Sequence, residues 1–288
     1  MSSALDSAWR AVQESPDDVS RLEVLADLLL QEGDSFGELV RLELEQERSG
    51  GDALSSTIEQ RRSGITSTLR HELAAGDWRR GFVLATTGTG APTLERCLEH
   101  PAFRLLRELG WTFGPADGLA RIHQVLTSLP RTVRKLTLSG TDLEDGTLQW
   151  LSALTGLEHL ETDLPFNLEG AKAEGLRSLQ FHTDGLDPAS LESVWFPRLI
   201  QLELFVQPWP ERWPTSFLSG TRSPALKRLF LKGALMPHHL EDLASSGLLR
   251  GIEELTLDVQ HLSQFDEILS DTADRFDHLK RFRRPVPR

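Results

Sequence analysis

The chain has 288 residues, 26% of them charged, and a net charge of −12, a composition typical of a chain that folds around a core. It contains 52 Leu, no Tyr and one Cys, which excludes a disulfide-stapled scaffold and makes the cytoplasm the expected compartment. The negative charge argues against general nucleic-acid binding, and the sequence carries neither a secretory signal nor an apolar run long enough to span a membrane.

Residues 1–76 predict an α-helical unit. The first 100 residues carry 18 acidic and 10 basic side chains, so this part of the chain is more acidic than the rest. The acidic side chains predict a solvated face, with a docking surface for a partner as the alternative. Apolar spacing and capping residues predict helices over 4–15, from Asp17-Asp18 to Gly33, from a Ser35/Glu38 capping box onwards, and over about 54–75.

A short apolar strand is expected next, from Trp78 to Leu84, as the first edge of a sheet, and the Gly88-Thr89-Gly90 run after it predicts a turn. Cys97 and His100 follow at i, i+3 on a short helix. A thiolate nucleophile needs a base within hydrogen-bond reach. Pro101 ends the helix at His100, so His100 is poorly placed to act as this base. Cys97 is therefore expected to be a core residue, with catalysis at Cys97 as the alternative.

An apolar motif of the form L-x-x-L-x-L recurs eight times from residue 106 onwards. The central anchors are separated by 27, 24, 19, 23, 27, 26 and 27 residues, and this period predicts stacked coils, each with one strand and one return segment. In chain order these anchors are Leu109, Leu136, Leu160, Leu179, Leu202, Leu229, Leu255 and Phe282.

The return segments between the expected strands differ in length. The 19-residue repeat between Leu160 and Leu179 is too short for a full helix, so an extended or 3₁₀ return is expected there. Longer returns predict helices at 115–128, 143–154, 188–194, 237–245 and 262–273.

The repeat region resembles leucine-rich-repeat proteins, and its longer repeats resemble the ribonuclease-inhibitor-like subclass. The Asn or Cys that this family places three residues beyond the last anchor is absent, which implies irregular turns. The resemblance implies an α/β leucine-rich-repeat solenoid over 77–288, with about eight repeats, a concave parallel sheet and a mixed helical and irregular convex side.

The N-terminal unit is similar to the bacterial repeat-companion domain, a short helical module that commonly precedes leucine-rich repeats. The similarity lies in the runs 11–18, Arg21-Leu22, Ala26-Asp27, 32–34 and 37–42. The family's aromatic residue after the Ala-Asp pair is Leu28 here. The resemblance implies an α-helical companion or capping domain over 1–76 and carries no catalytic residues over.

Alternating strand positions are expected to face the groove of the solenoid, because neighbouring side chains on a strand point to opposite sides. In the middle repeats these positions combine two Phe with acidic residues at one end and basic residues at the other, a composition typical of a protein-binding surface. The predicted partner-binding residues are His159, Glu161, Asp163, Gln180, His182, Gln201, Glu203, Phe205, Arg228, Phe230 and Lys232.

Three other features keep a functional alternative open. His159, Asp163 and His182 would bind a transition metal if they converged, although ordinary surface residues are the expectation. The Pro-rich loop with Trp209 and Trp213 is expected to fill the return side of a coil, with an exposed anchor as the alternative. The basic tail from residue 280 predicts an end cap or a local contact with an anionic partner.

Together these patterns predict a non-enzymatic adaptor or scaffold of the bacterial cytoplasm that binds a protein or peptide. They predict no cofactor, membrane or small-molecule substrate. The alternatives are a structural subunit of a larger assembly and an enzyme that uses Cys97 or the groove.

Overall fold

The computed structural model describes residues 3–67, 76–140, 146–164, 166–183, 190, 192–206, 213, 219–233, 235–259, 276, 278–279 and 281–283. The fold is mixed α/β, with ten strands in one open and mostly parallel sheet. The strands of this sheet follow one another in chain order. Such an order arises when the chain, after each strand, returns along the same side of the sheet and forms the next strand beside the previous one.

The chain groups into two compact units. The first comprises Met1–Thr112 and Ser128–Arg134, and the second comprises Phe113–Thr127 and Lys135–Arg288. The expected division at residues 76 and 77 stays a prediction.

Four helices begin the first unit. The Asp18 carboxylate caps the second helix by accepting hydrogen bonds from the backbone N–H groups of Ser20 and Arg21. The capping box expected at Ser35 is wrong, because the Ser35 side chain makes no capping bond, and the Asp34 carboxylate accepts from the Phe36 N–H instead. The helices are α1 (Ser3–Glu14), α2 (Val19–Gln31), α3 (Phe36–Ser49) and α4 (Ser55–Ser67), and the expected continuation of α4 to residue 75 lies outside the described part.

A β-hairpin follows, where a single short strand was expected. Strand β1 (Asp77–Arg79) pairs antiparallel with β2 (Phe82–Thr89), and a two-residue turn joins them. Both turn residues, Arg80 and Gly81, have positive φ, at 53° and 85°, which is the backbone required by a twist-matched hairpin turn. Strand β2 continues through the Gly88-Thr89 pair that was expected to be a turn.

The helices cover β2 through aromatic contacts. The ring of Phe82 lies 6.0 Å from the Trp9 ring and 5.3 Å from the Phe36 ring, in both cases edge to face. Strand β2 also pairs in parallel with β3 (Glu108–Phe113), after the helix α5 (Ala91–Glu99). Through Trp9 and Phe36 the helices pack against the first parallel strand.

The second unit contributes seven strands to the sheet. Each pair is parallel and has a continuous register, so that the motif positions of one repeat lie beside those of the next. The strands are β4 (Lys135–Gly140), β6 (His159–Thr162), β8 (Ser178–Thr183), β9 (Gln201–Val206), β10 (Arg228–Gly233), β11 (Glu254–Val259) and β12 (Arg281–Arg283), and the separate pair β5 (Gly146–Thr147) and β7 (Phe166–Asn167) forms a second small sheet.

The repeated anchors form the core. Every anchor of the first seven motifs is at most 4% exposed, including Trp111, Thr162 and Phe181, which replace Leu at the third position. In the eighth motif Leu279 is half-buried, and Phe282 pairs with Leu255 in the register of β11 and β12. Burial of this row of side chains, at about 1.5–3 kcal/mol for each Leu-sized residue, is the main force holding neighbouring repeats together.

The returns vary as expected, but with corrections. Helices α6 (Leu119–Thr127) and α7 (Pro237–Ala244) confirm two expected return helices, whereas Leu148–Ala153 is a 3₁₀ helix instead of the expected α-helix. The return segment of the 19-residue repeat is extended, and Lys172 within it forms an isolated β-bridge with Trp195. The helix expected over 262–273 lies outside the described residues, and so do residues 188, 189 and 191 of the helix expected over 188–194. In the part of the chain that the structure describes, no helix is both long and apolar enough to cross a bilayer.

Candidate functional site

In the sheet of the second unit, the buried anchors lie on one face, and the residues between them lie on the other. Along β4, β6, β8, β9, β10 and the described part of β11 the anchors are buried, and the residues between them are half-buried or exposed. We call this side the open face. Because strand pairing is in register, its residues form three rows that run across the strands.

All eleven predicted partner-binding residues lie on the open face, in the order that the motif spacing predicts. The first row contains His159, Gln201 and Arg228, and the second contains Glu161, Gln180, Glu203 and Phe230. The third contains His182, Phe205 and Lys232, with Asp163 directly after the end of β6. That these residues bind a partner stays a prediction.

Phe205 is contacted by His182 and Lys232 in the third row. The His182 ring lies 5.4 Å from the Phe205 ring on one side, and the Lys232 Nζ lies 5.5 Å from the ring centroid. A cation above an aromatic face gains about 0.5–1 kcal/mol at an exposed site. Phe205 and Phe230 are both half-buried.

Arg228 belongs to a polar chain along the first row. Its Nη1 donates to Gln201 Oε1 at 3.4 Å, and its Nε lies 4.0 Å from Glu254 Oε2 on the next strand. Glu254 was not among the predicted site residues, although its position in the same row of the repeat already marked it. The Arg228 side chain is half exposed, so its charged group is still accessible to a partner.

Asp163 has a local structural role at the end of β6. Its Oδ1 accepts a hydrogen bond from the Gly140 N–H at 3.1 Å, and its own N–H donates to the Leu138 carbonyl at 3.1 Å. The carboxylate is exposed and therefore still contributes negative charge to the open face.

The metal alternative for His159, Asp163 and His182 is not supported. His159 pairs with Ser178, and His182 lies four residues further along the same strand, a separation of about 13 Å at 3.3 Å per residue. Metal ligands must lie about 2.0–2.2 Å from one ion. Within the described ranges, no three His, Cys, Asp or Glu side chains form a group that would hold a metal ion.

Cys97 lies in the core of the first unit and is fully buried, as predicted. His100 caps the short 3₁₀ helix that begins at Pro101, because its Nδ1 accepts a hydrogen bond from the Ala102 N–H at 3.1 Å. Burial lowers the pKa of the His100 imidazole, and the Asp34 carboxylate opposes this shift. A neutral imidazole that accepts at Nδ1 carries its proton on Nε2.

Several acidic side chains of the first unit are paired with arginines. Arg62 Nε donates to the buried Glu43 at 2.9 Å, and Arg61 lies 2.7 Å from Glu38. Asp17 contacts Arg79 at 3.5 Å and Arg107 at 3.2 Å. These pairs neutralise part of the acidic surface, and both the solvated face and the docking surface stay predictions.

Two further features lie away from the open face. Trp213 is buried and its Nε1 donates to the His239 carbonyl at 3.2 Å, so it fills the return side as expected, and Trp209 lies outside the described residues. A cleft of about 650 Å³ in the first unit has Phe36 and Leu39 among its lining residues. The sequence did not indicate this cleft, because its walls come from separate helices.

Comparison with known proteins extends the description of the fold. No family model matches the chain, and no curated protein matches it. A crystal structure of a Bacteroides fragilis protein, a structural-genomics target, is similar to this chain with a TM-score of 0.52 and 18% sequence identity. The similarity covers 66% of this chain and 62% of that protein, so the chain spans less than two thirds of its length. At this identity the likeness concerns the fold alone.

Proposed function

We propose that this chain is a leucine-rich-repeat solenoid, preceded by a helical companion domain, that binds a protein or peptide and catalyses no reaction. Strand order that follows chain order, a recurring buried anchor motif and returns of mixed structure support the repeat assignment. The resemblance of the helical segment to the bacterial repeat-companion domain supports a bacterial helical unit attached to repeats, and the single Cys supports a cytoplasmic location. Stacked repeats of this kind use an extended sheet face for binding.

One observation carries the binding proposal. Phe205 and Phe230 lie on adjacent strands of the open face, in neighbouring rows, with Lys232 above one ring and Arg228 on the same strand. Aromatic side chains and Arg are enriched at protein interfaces, and truncating the few residues that dominate such an interface costs about 2 kcal/mol or more of binding. Their positions are held by the sheet, so little ordering cost opposes binding.

Burial of Cys97 makes the enzyme alternative less favourable. A catalytic thiol must be ionised and accessible to its substrate, whereas Cys97 lies in an apolar interior. The alternative of a structural subunit stays open for experiment.

Site-specific photo-cross-linking tests the proposal. The photoreactive residue p-benzoylphenylalanine replaces Phe230 in one variant, and in the matched control it replaces Glu241, which is exposed on α7 away from the sheet. The proposal predicts a defined adduct in native extract from position 230 and none of the same mass from position 241. Adducts from position 241 alone would contradict it.

A further inference from the structure

The open face is electrically divided across four neighbouring strands. Glu161 and Asp163 are exposed at β6, whereas β10 carries Arg228 and Lys232, which are also exposed. Strands β8 and β9 lie between them. A partner that matches this face therefore needs opposite charges at its two ends.

The distance between the two charged strands follows from sheet geometry. Neighbouring strands lie about 4.8 Å apart, so the three steps from β6 to β10 span about 14 Å. An extended peptide rises about 3.3 Å per residue, so four residues cross the same distance. In an extended segment, residues i, i+2 and i+4 point to the same side and can all face the sheet.

The middle of this path is apolar and preformed. An i+2 side chain lies about 7 Å from either end, which places it between β8 and β9, over the adjacent rings of His182 and Phe205. Lys232 is already held close to the Phe205 ring, so its ammonium stands beside the apolar contact. Glu203 adds a second acidic group in the row of Glu161.

We propose, building on the binding function above, that the open face takes an extended peptide that crosses the strands from β6 to β10. The peptide places a Lys or Arg over Glu161, an apolar side chain over Phe205, and an Asp or Glu against Lys232. These three residues stand at i, i+2 and i+4, and either chain direction satisfies the pattern. Because salt screens the ionic contacts at the two ends, binding should weaken as the salt concentration rises.

A random 12-residue peptide library displayed on phage, panned on the immobilised full chain, tests this pattern. The enriched peptides are expected to carry opposite charges four residues apart with an apolar residue midway. Panning on K232E in parallel should replace the acidic end by a basic one, and the selected peptides should bind K232E about tenfold more weakly than the native chain. K172E is the matched control, because Lys172 is exposed in a bridge outside the ten-stranded sheet, and it should leave the selection unchanged.

The outcomes separate this inference from the function on which it rests. Peptides that lose binding on Phe230→Ala but show no charge pattern, or a charge spacing of nine to ten residues as a helix would give, overturn the extended bipolar peptide and leave the binding function standing. Enriched peptides that ignore both K232E and Phe230→Ala, or an absence of enrichment, overturn both.

Discussion

The guanidinium of Arg80 donates two hydrogen bonds to the carboxylate of Glu47, at 2.7 Å and 2.9 Å. The same side chain donates to the Asp17 backbone carbonyl at 2.9 Å and is only 11% exposed. Arg80 adopts a left-handed backbone, which L residues other than Gly, Asn and Asp seldom use. The paired hydrogen bonds to Glu47 offset this backbone cost and tie the hairpin to α3 and to the loop before α2. They also lower the pKa of Glu47 and raise that of Arg80.

Replacing Arg80 by Ala is expected to destabilise the fold by about 1–2 kcal/mol, because it removes a charged two-point contact but keeps the strained backbone. Urea denaturation measures the loss as a lower transition midpoint. Arg79→Ala is the matched control, since Arg79 is exposed and has a longer 3.5 Å contact with Asp17, and it should cost at most about 0.5 kcal/mol. Equal losses of stability in the two variants would contradict a stabilising role for the Arg80–Glu47 pair.

Gly81 is expected to tolerate no side chain. A Cβ there would lie 2.8 Å from Val40 Cγ2 and 3.1 Å from Val40 Cα, and φ is +85°. Gly33 has a similar φ of +80° and open space around it, so Gly33→Ala isolates the backbone cost of about 1 kcal/mol. Gly81→Ala should cost at least about 1 kcal/mol more by the same denaturation measurement. A loss of stability in Gly81→Ala no larger than that in Gly33→Ala would show that the hairpin does not pack closely against α3.

Acid should weaken the fold through His100. Burial lowers the pKa of this imidazole, so the unfolded chain binds the proton more tightly. Stability is therefore complete above the unfolded value of about 6.5 and decreases as the pH falls below it towards the folded value.

The variant His100→Asn tests this effect. Its amide oxygen can still accept the Ala102 N–H, but it does not titrate. The drop in urea midpoint between pH 7.5 and 5.5 should be smaller in this variant. It should not vanish, because burial also lowers the pKa of His123. An unchanged drop would remove His100 as a source.

The rows of the open face were predictable from the sequence, whereas the contacts within them were not. Period-two alternation fixes which side of a strand a residue faces, and the recurring anchor motif fixes the register, so Phe205 and Lys232 could be placed side by side. The contacts of His182 and Lys232 with the Phe205 ring depend on rotamers, which no spacing encodes. The β1–β2 turn was missed because Arg80-Gly81 lacks the Asn-Gly or Asp-Gly pair that usually marks such turns.

Return segments were the least predictable part of the fold. The Leu148–Ala153 segment has apolar spacing that fits an α-helix, yet it forms a 3₁₀ helix that begins directly after the short strand β5. Within one coil the length of the return must match the distance between strand ends, and this constraint overrides local propensity.

The thiol of Cys97 should be unreactive in the folded protein, because the residue is fully buried. Alkylation by iodoacetamide, followed by mass spectrometry, should be slow in buffer and at least about a hundredfold faster in denaturing urea. Fast modification in buffer, with a rate that saturates below pH 7, would indicate an ionised accessible thiol and revive the enzyme alternative.

Binding through the open face is tested most directly by the dissociation constant of the partner segment captured at position 230. The Phe205→Ala/Phe230→Ala double variant should weaken this binding at least about tenfold while keeping its urea midpoint within about 0.5 M of the native value. Trp195→Ala removes an aromatic side chain that is 37% exposed outside the ten-stranded sheet, and it should change affinity by less than about twofold. Loss of binding in Trp195→Ala, with none in the double variant, would contradict the assignment of the open face as the binding surface.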